Sequence, residues 1–181
     1  MISNSDNFQS IYNQYKVLVY NVALNYLQNV EDAEEITQDV FVQVHNSIDS
    51  FNQKSSLKTW IYRITINKSL DLIKHKNSAK RFFIFGQKSN NEHELNNIST
   101  FEHPGIVLEN KENAAILFKI INELKENQKT AFILSKLDGL SNPEIAEIMN
   151  VSISSVESLI FRAKVTLKEK LSANLELYHK K

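Results

Sequence analysis

Only three glycines and two prolines interrupt a chain of 181 residues. A β-sandwich or barrel needs many tight turns, and these two residue types supply most of them, so their scarcity turns the expectation toward long helices. Apolar side chains at Phe8, Ile11, Tyr12, Tyr15, Val19, Val22, Ala23, Tyr26 and Leu27 recur three and four apart, the spacing of one helical face. Asn29, with Asp32 three residues on, is placed to cap a second helix whose buried face reads Ala33, Ile36, Val40, Phe41, Val44 and Ile48. After a polar stretch from Asp49 to Ser56, a third helical segment starts near Leu57 and runs through Trp60, Ile61, Ile64, Leu70 and Ile73. The expected fold is all-α.

Clear periodicity lapses between residues 77 and 110, where Asn, Ser, Gly86 and the Pro104-Gly105 pair collect. The chain therefore divides into a domain at 1–76, a flexible linker at 77–110 and a second domain at 111–181. The cluster Phe82, Phe83, Ile84, Phe85 reads either as the frayed end of the third helix or as a patch that meets a partner. From Lys111 the helical pattern resumes with Ala114, Leu117, Ile120, Ile121 and Leu124. Another helix follows from Gln128 to Leu137 and ends at Asp138-Gly139, where glycine suits a left-handed cap. Two shorter helices complete the domain.

Those last two carry the most specific local pattern. Ser141-Asn142-Pro143-Glu144 is a capping box, Asn150 suits a left-handed turn with Val151 packed beneath it, and a new helix starts at Ser152 or Ser154, the latter paired with Glu157 as a second possible box. Over residues 142–161, the positions that must be small or apolar for two helices to cross steeply are Ile145, Ala146, Met149, Val151, Val156 and Leu159, and all six comply. This is a helix-turn-helix, which offers its second helix to the major groove. The outward set is Ser152, Ser154, Ser155, Glu157 and Ser158, suited to base edges, followed by Arg162 and Lys164, suited to phosphates. An αα-hairpin used only for packing is the plainer alternative.

Lys and Arg balance Asp and Glu at 21 each, so net charge names no partner. The distribution is more telling. Between Glu31 and Asp49 the acids Glu31, Asp32, Glu34, Glu35, Asp39 and Asp49 meet no Lys or Arg; from Lys54 to Arg81, eight cations stand against Asp71. Two surfaces of opposite sign suggest two different partners, the alternative being ordinary solvated helix faces. The absence of cysteine excludes thiolate metal sites and Cys-nucleophile catalysis, and the five histidines, without metal-ligand spacing, read as surface residues. No signal-peptide pattern and no apolar run of about twenty residues is present, so a cytoplasmic protein without membrane insertion is expected.

Asp32-Ala33-Glu34-Glu35-Ile36-Thr37-Gln38-Asp39-Val40-Phe41, followed by Leu57-Lys58-Thr59-Trp60-Ile61-Tyr62-Arg63-Ile64 and Asn67, resembles region 2 of the sigma-70 family. Residues 128–171 resemble its region 4, and the two in this order resemble the extracytoplasmic-function (ECF) group. The resemblance implies an alternative sigma factor: a non-enzymatic subunit, needing no cofactor, that binds core RNA polymerase and promoter DNA and is controlled by an anti-sigma factor. It implies a polymerase contact through Asp32, Glu35, Gln38 and Phe41, whose outward acids lack internal partners and can steer a basic coiled coil. It implies minus-10 binding and melting by Trp60, Tyr62, Arg63, Asn67, Lys68 and Lys74, with Asn52, Lys54 and Ser55 in a base-capturing loop; Trp60 suits a core role equally. It implies minus-35 binding by the outward set of the helix-turn-helix. The family often has Gly-Thr-Val-Lys-Ser-Arg where this chain has Ser154-Ser155-Val156-Glu157-Ser158-Leu159, so two cations are missing and docking of this domain alone should be weaker.

The chief rival is a helix-turn-helix repressor or activator that acts without polymerase, as a dimer on a symmetric operator. A helical adaptor that binds only protein is a second rival. Acid–base or metal chemistry by the clustered carboxylates has no nucleophile or phosphate loop beside it.

Overall fold

A computed structural model describes residues 4–52, 54–86 and 111–179, with side chains described for 8–52, 54–79 and 114–173. These residues form α-helices α1 (Asn4–Leu27), α2 (Val30–Ser47), α3 (Leu57–Gly86), α4 (Lys111–Asn122), α5 (Glu126–Lys136), α6 (Asn142–Met149) and α7 (Ile153–His179), with a 3-10 turn at Ile48–Ser50, and no strand occurs among them. The chain separates into two compact units, one holding α1 to α3 and the other α4 to α7. The all-α expectation holds.

In the first unit α1, α2 and α3 pack pairwise on one another. The join between α1 and α2 is very tight: Gln28 takes a left-handed conformation at φ 57° and Asn29 is extended. Asn29 Oδ1 then accepts from the Asp32 amide at 2.8 Å, the expected N-cap. Val19, Ala23, Ala33, Val40, Val44 and Ile61 are all at 0% exposure, so the core is the meeting line of the three predicted apolar stripes. Ser56 caps α3, its Oγ accepting from the Thr59 amide at 3.0 Å. Helix α3 does not stop near residue 76 but continues through Gly86, so the expected linker begins inside a helix. The side chains of Phe82 to Phe85 and the remainder of that linker lie outside the described residues.

In the second unit α5 starts at Glu126, two residues before the expected Gln128, and ends as expected. Gly139 sits at φ +68°, and the Leu140 amide returns to the Leu134 carbonyl at 2.9 Å, closing a left-handed C-terminal cap. Helix α6 opens on the predicted box: the Glu144 carboxylate accepts from the Ser141 amide at 2.9 Å and the Ser141 hydroxyl at 2.7 Å. Asn150 is left-handed at φ 54°, ψ 48°. Two expectations are corrected. The final helix is long, reaching His179, and Val151 is 39% exposed, while Ile148 and Ile160 on either side of the left-handed turn are buried.

Lys129 on α5 is only 5% exposed, its Nζ donating to Asn122 Oδ1 at 2.6 Å. Burial lowers its pKa from 10.5 to about 8, with nearby Glu126 opposing the shift. Between pH 8 and 10.5 the unfolded chain therefore holds more protons at this site than the folded chain, and stability rises with pH across that window. In urea titrations of the whole chain, Lys129→Met should abolish that rise and stabilise the second unit at pH 7 by about 1–3 kcal/mol. Equal pH slopes in the two proteins would contradict this origin.

Candidate functional site

Once Ala33, Val40 and Val44 face the core, the opposite side of α2 carries Glu31, Glu35, Gln38 and Val42, spaced four, three and four apart and all exposed. Val42 is 59% exposed, an apolar residue within an otherwise polar stripe. It was not among the residues expected here. Its signal was available in the sequence as the helical position four beyond Gln38.

Two expected members of this surface are corrected. Phe41 is 4% exposed and packs edge-on against Tyr12, with ring centroids 4.8 Å apart, and against Phe8 at 6.5 Å. It lies on the flank of α2 that faces α1, so it builds the core. Asp32, on the other flank, accepts from Lys76 Nζ on α3 at 2.6 Å, and its side chain is 15% exposed. Asp39 receives Lys68 Nζ at 3.4 Å. The expectation that the acids of α2 lack internal partners thus fails for these two, because α3 runs alongside and places its cations at matching heights. Glu35 and Gln38 remain outward.

Along α3, Trp60, Arg63, Asn67 and Lys74 stand three, four and seven residues apart and share one stripe, with Asn67 and Lys74 exposed and Trp60 and Arg63 half-buried. The Trp60 ring lies tilted over Phe51, with centroids 5.0 Å apart, and also touches the core. Tyr62 is corrected: at 4% exposure it faces inward, with Lys58 Nζ 5.9 Å from its ring, and offers no free stacking face. Lys68 is engaged with Asp39. In the preceding loop Asn52 and Lys54 are exposed and Ser55 half-buried, the Lys54 amide donating to Asn52 Oδ1 at 3.3 Å.

The helix-turn-helix forms from α6 and α7. Ile145, Ala146 and Val156 are buried as the pattern required, Met149 and Leu159 are half-buried, and Ile148 and Ile160 complete the seam. The start of α7 resolves at Ser152, whose Oγ accepts from the Ser155 amide at 3.2 Å; the possible Ser154–Glu157 box does not form. Ser152 Oγ is also 3.0 Å from Ser154 Oγ and 2.8 Å from Ser155 Oγ. Ser154, Ser155, Glu157, Ser158, Arg162 and Lys164 are all exposed. Phe161, 67% exposed, stands among them and was missed, because a phenylalanine at helical spacing reads as core. Glu157, Phe161 and Lys164 join Lys136 and Asn142 around an open cleft of about 310 Å³.

Both units match known protein families. Residues 11–79 match the sequence profile of Sigma-70 region 2, and residues 114–167 match that of Sigma-70, region 4. The chain belongs to the sigma-70 family. Within it, the ECF RNA polymerase sigma factor SigW of Bacillus subtilis is 29% identical, covering 93% of this chain and 90% of its own length. The ECF RNA polymerase sigma-E factor of Haemophilus influenzae is also 29% identical, with 91% and 87% covered. The fold of the sigma factor RpoE from Bartonella quintana, solved with the anti-sigma factor NepR, matches with a TM-score of 0.65 at 22% identity, over 92% of this chain and 97% of that one. The protein is thus an alternative sigma factor of the ECF group and directs transcription.

With Phe41 in the core of region 2, Phe41→Ala should destabilise that unit by about 3–5 kcal/mol in chemical denaturation. A folded, equally stable variant would return Phe41 to the surface.

Proposed function

We propose that this sigma factor divides its promoter work among three surfaces. The outward stripe of α2, Glu31, Glu35, Gln38 and Val42, docks on a basic helical element of core RNA polymerase. Acids standing free in water steer the approach, and Val42 supplies an apolar anchor. Asp32 and Asp39 serve a different end: their bonds to Lys76 and Lys68 set the position of α3 beside α2. Each such pair is worth at most about 1 kcal/mol in water, so their value is in register more than in stability.

The stripe Trp60, Arg63, Asn67 and Lys74, with Asn52, Lys54 and Ser55 in the loop before it, takes the minus-10 element. Cations offset strand charge, and Trp60 with Phe51 offers an aromatic surface for an unstacked base. The helix-turn-helix takes the minus-35 element through Ser152, Ser154, Ser155, Glu157, Ser158, Arg162 and Lys164, with Phe161 beside them. Polymerase holds both units at once, so modest affinities combine through effective concentration. Strand opening draws on binding energy, the polymerase does the chemistry, and the factor is neither an enzyme nor a cofactor carrier. Control by an anti-sigma factor, of the kind present in the RpoE–NepR structure, and a cytoplasmic place of action belong to the same reading. No helix among the described residues is long and apolar enough to cross a membrane.

The observation that carries this reading is one helix pair presenting an acidic outer stripe on α2 and a basic, aromatic stripe on α3, tied by two ion pairs. In a binding titration with core polymerase, the Glu35→Lys, Val42→Asp double variant should bind about tenfold or more weakly while unfolding at the wild-type denaturant midpoint. Unchanged affinity would remove α2 from the docking surface.

A further inference from the structure

Glu157 is an anomaly on the DNA-facing helix of region 4. A carboxylate there meets phosphate repulsion on entering a groove, and the structural role that would excuse it is absent: Ser152, not Ser154, caps α7, and Glu157 makes no capping bond. It also has no ion-pair partner among the described residues, although Lys136 and Lys164 line the same cleft. It sits one turn into α7, exposed, between the exposed Ser154 and Phe161. In a helix-turn-helix this is the stretch of the second helix that reaches base edges.

An ionised carboxylate only accepts hydrogen bonds. In the major groove, guanine presents the acceptors N7 and O6, and thymine presents O4 and a methyl group, so both repel or fail to satisfy it. Adenine offers its N6 amino group but sets the N7 acceptor beside it, where a second carboxylate oxygen would lie. Cytosine alone offers an amino donor with no acceptor beside it on its own base. We infer that Glu157 selects a cytosine in the upstream promoter block, an inference that rests on the minus-35 reading of this helix. Selection comes as much from rejecting guanine and thymine as from binding cytosine, and Lys136 and Lys164 offset the cost of bringing the carboxylate near phosphates. The residue that weakens general attraction to DNA therefore sharpens its reading.

The test is selection of transcribed promoters from a library randomised in the upstream block, using core RNA polymerase and the full-length protein as wild type, Glu157→Gln and Glu157→Arg. One position should carry cytosine about fivefold to tenfold over guanine with wild type. That position should turn to adenine with Glu157→Gln, whose amide pairs with N6 and N7, and to guanine with Glu157→Arg, while the downstream block stays the same. The same base preferences in all three proteins would overturn the inference and leave the promoter reading standing. No enriched upstream block with any of them would overturn the minus-35 reading and the inference together.

Discussion

The burial of one apolar stripe on α2 governs the first unit. Ala33, Val40 and Val44 are at 0% exposure between α1 and α3, and a helix turned to seal those three has no azimuthal freedom left. Every other side chain on it is then assigned by the 100° step. Glu31, Glu35, Gln38 and Val42 go outward, Asp32 and Asp39 go toward α3, and Phe41 goes toward α1. The exposed acidic stripe and the ion pairs that link α3 to α2 are two consequences of the same packing. A residue three positions from another can thus differ completely in role, as Gln38 and Phe41 do.

The second unit rests on a comparable constraint of size and backbone sign. Buried Ala146 and Asn150 in the left-handed turn let α6 and α7 pack on one another, and the exposed face of α7 follows from what that contact buries. The surface so produced is unusual in chemistry: a run of hydroxyls bound to one another around Ser152, an exposed phenylalanine and an unpaired acid. In the proposed minus-35 role, hydroxyls would be adaptable partners for bases, and specificity would fall to the residues with fixed demands.

Much of this was legible in the chain itself. The periodicities of α1 and α2, the caps at Asn29 and Ser141, the left-handed Asn150 and the order of two family patterns all depend on residues close in sequence, and each is found in place. What was not legible depended on neighbours distant in sequence. That Lys76 reaches Asp32 and Lys68 reaches Asp39 requires the height of α3 against α2, which no local pattern contains. Family motifs taken as strings place Phe41 and Tyr62 on surfaces, whereas both are 4% exposed and Phe41 packs against Phe8 and Tyr12 of α1. Phe161 failed in the opposite sense, since hydrophobicity at helical spacing does not reveal that nothing covers it. The length of α3 beyond residue 76 is not legible because clear apolar periodicity lapses there, and Asn77, Ser78 and Gly86 read as linker residues although they lie within the helix.

The central claim is that this chain acts on promoters as a subunit of polymerase rather than as a free DNA-binding protein. Footprinting on a promoter template, with the protein alone, core polymerase alone and both together, tests it most directly. Protection of an asymmetric site with two separated blocks, appearing only when both are present and accompanied by transcription from a defined start, is the result expected. A symmetric footprint from the protein alone, unchanged when core polymerase is added, would contradict it.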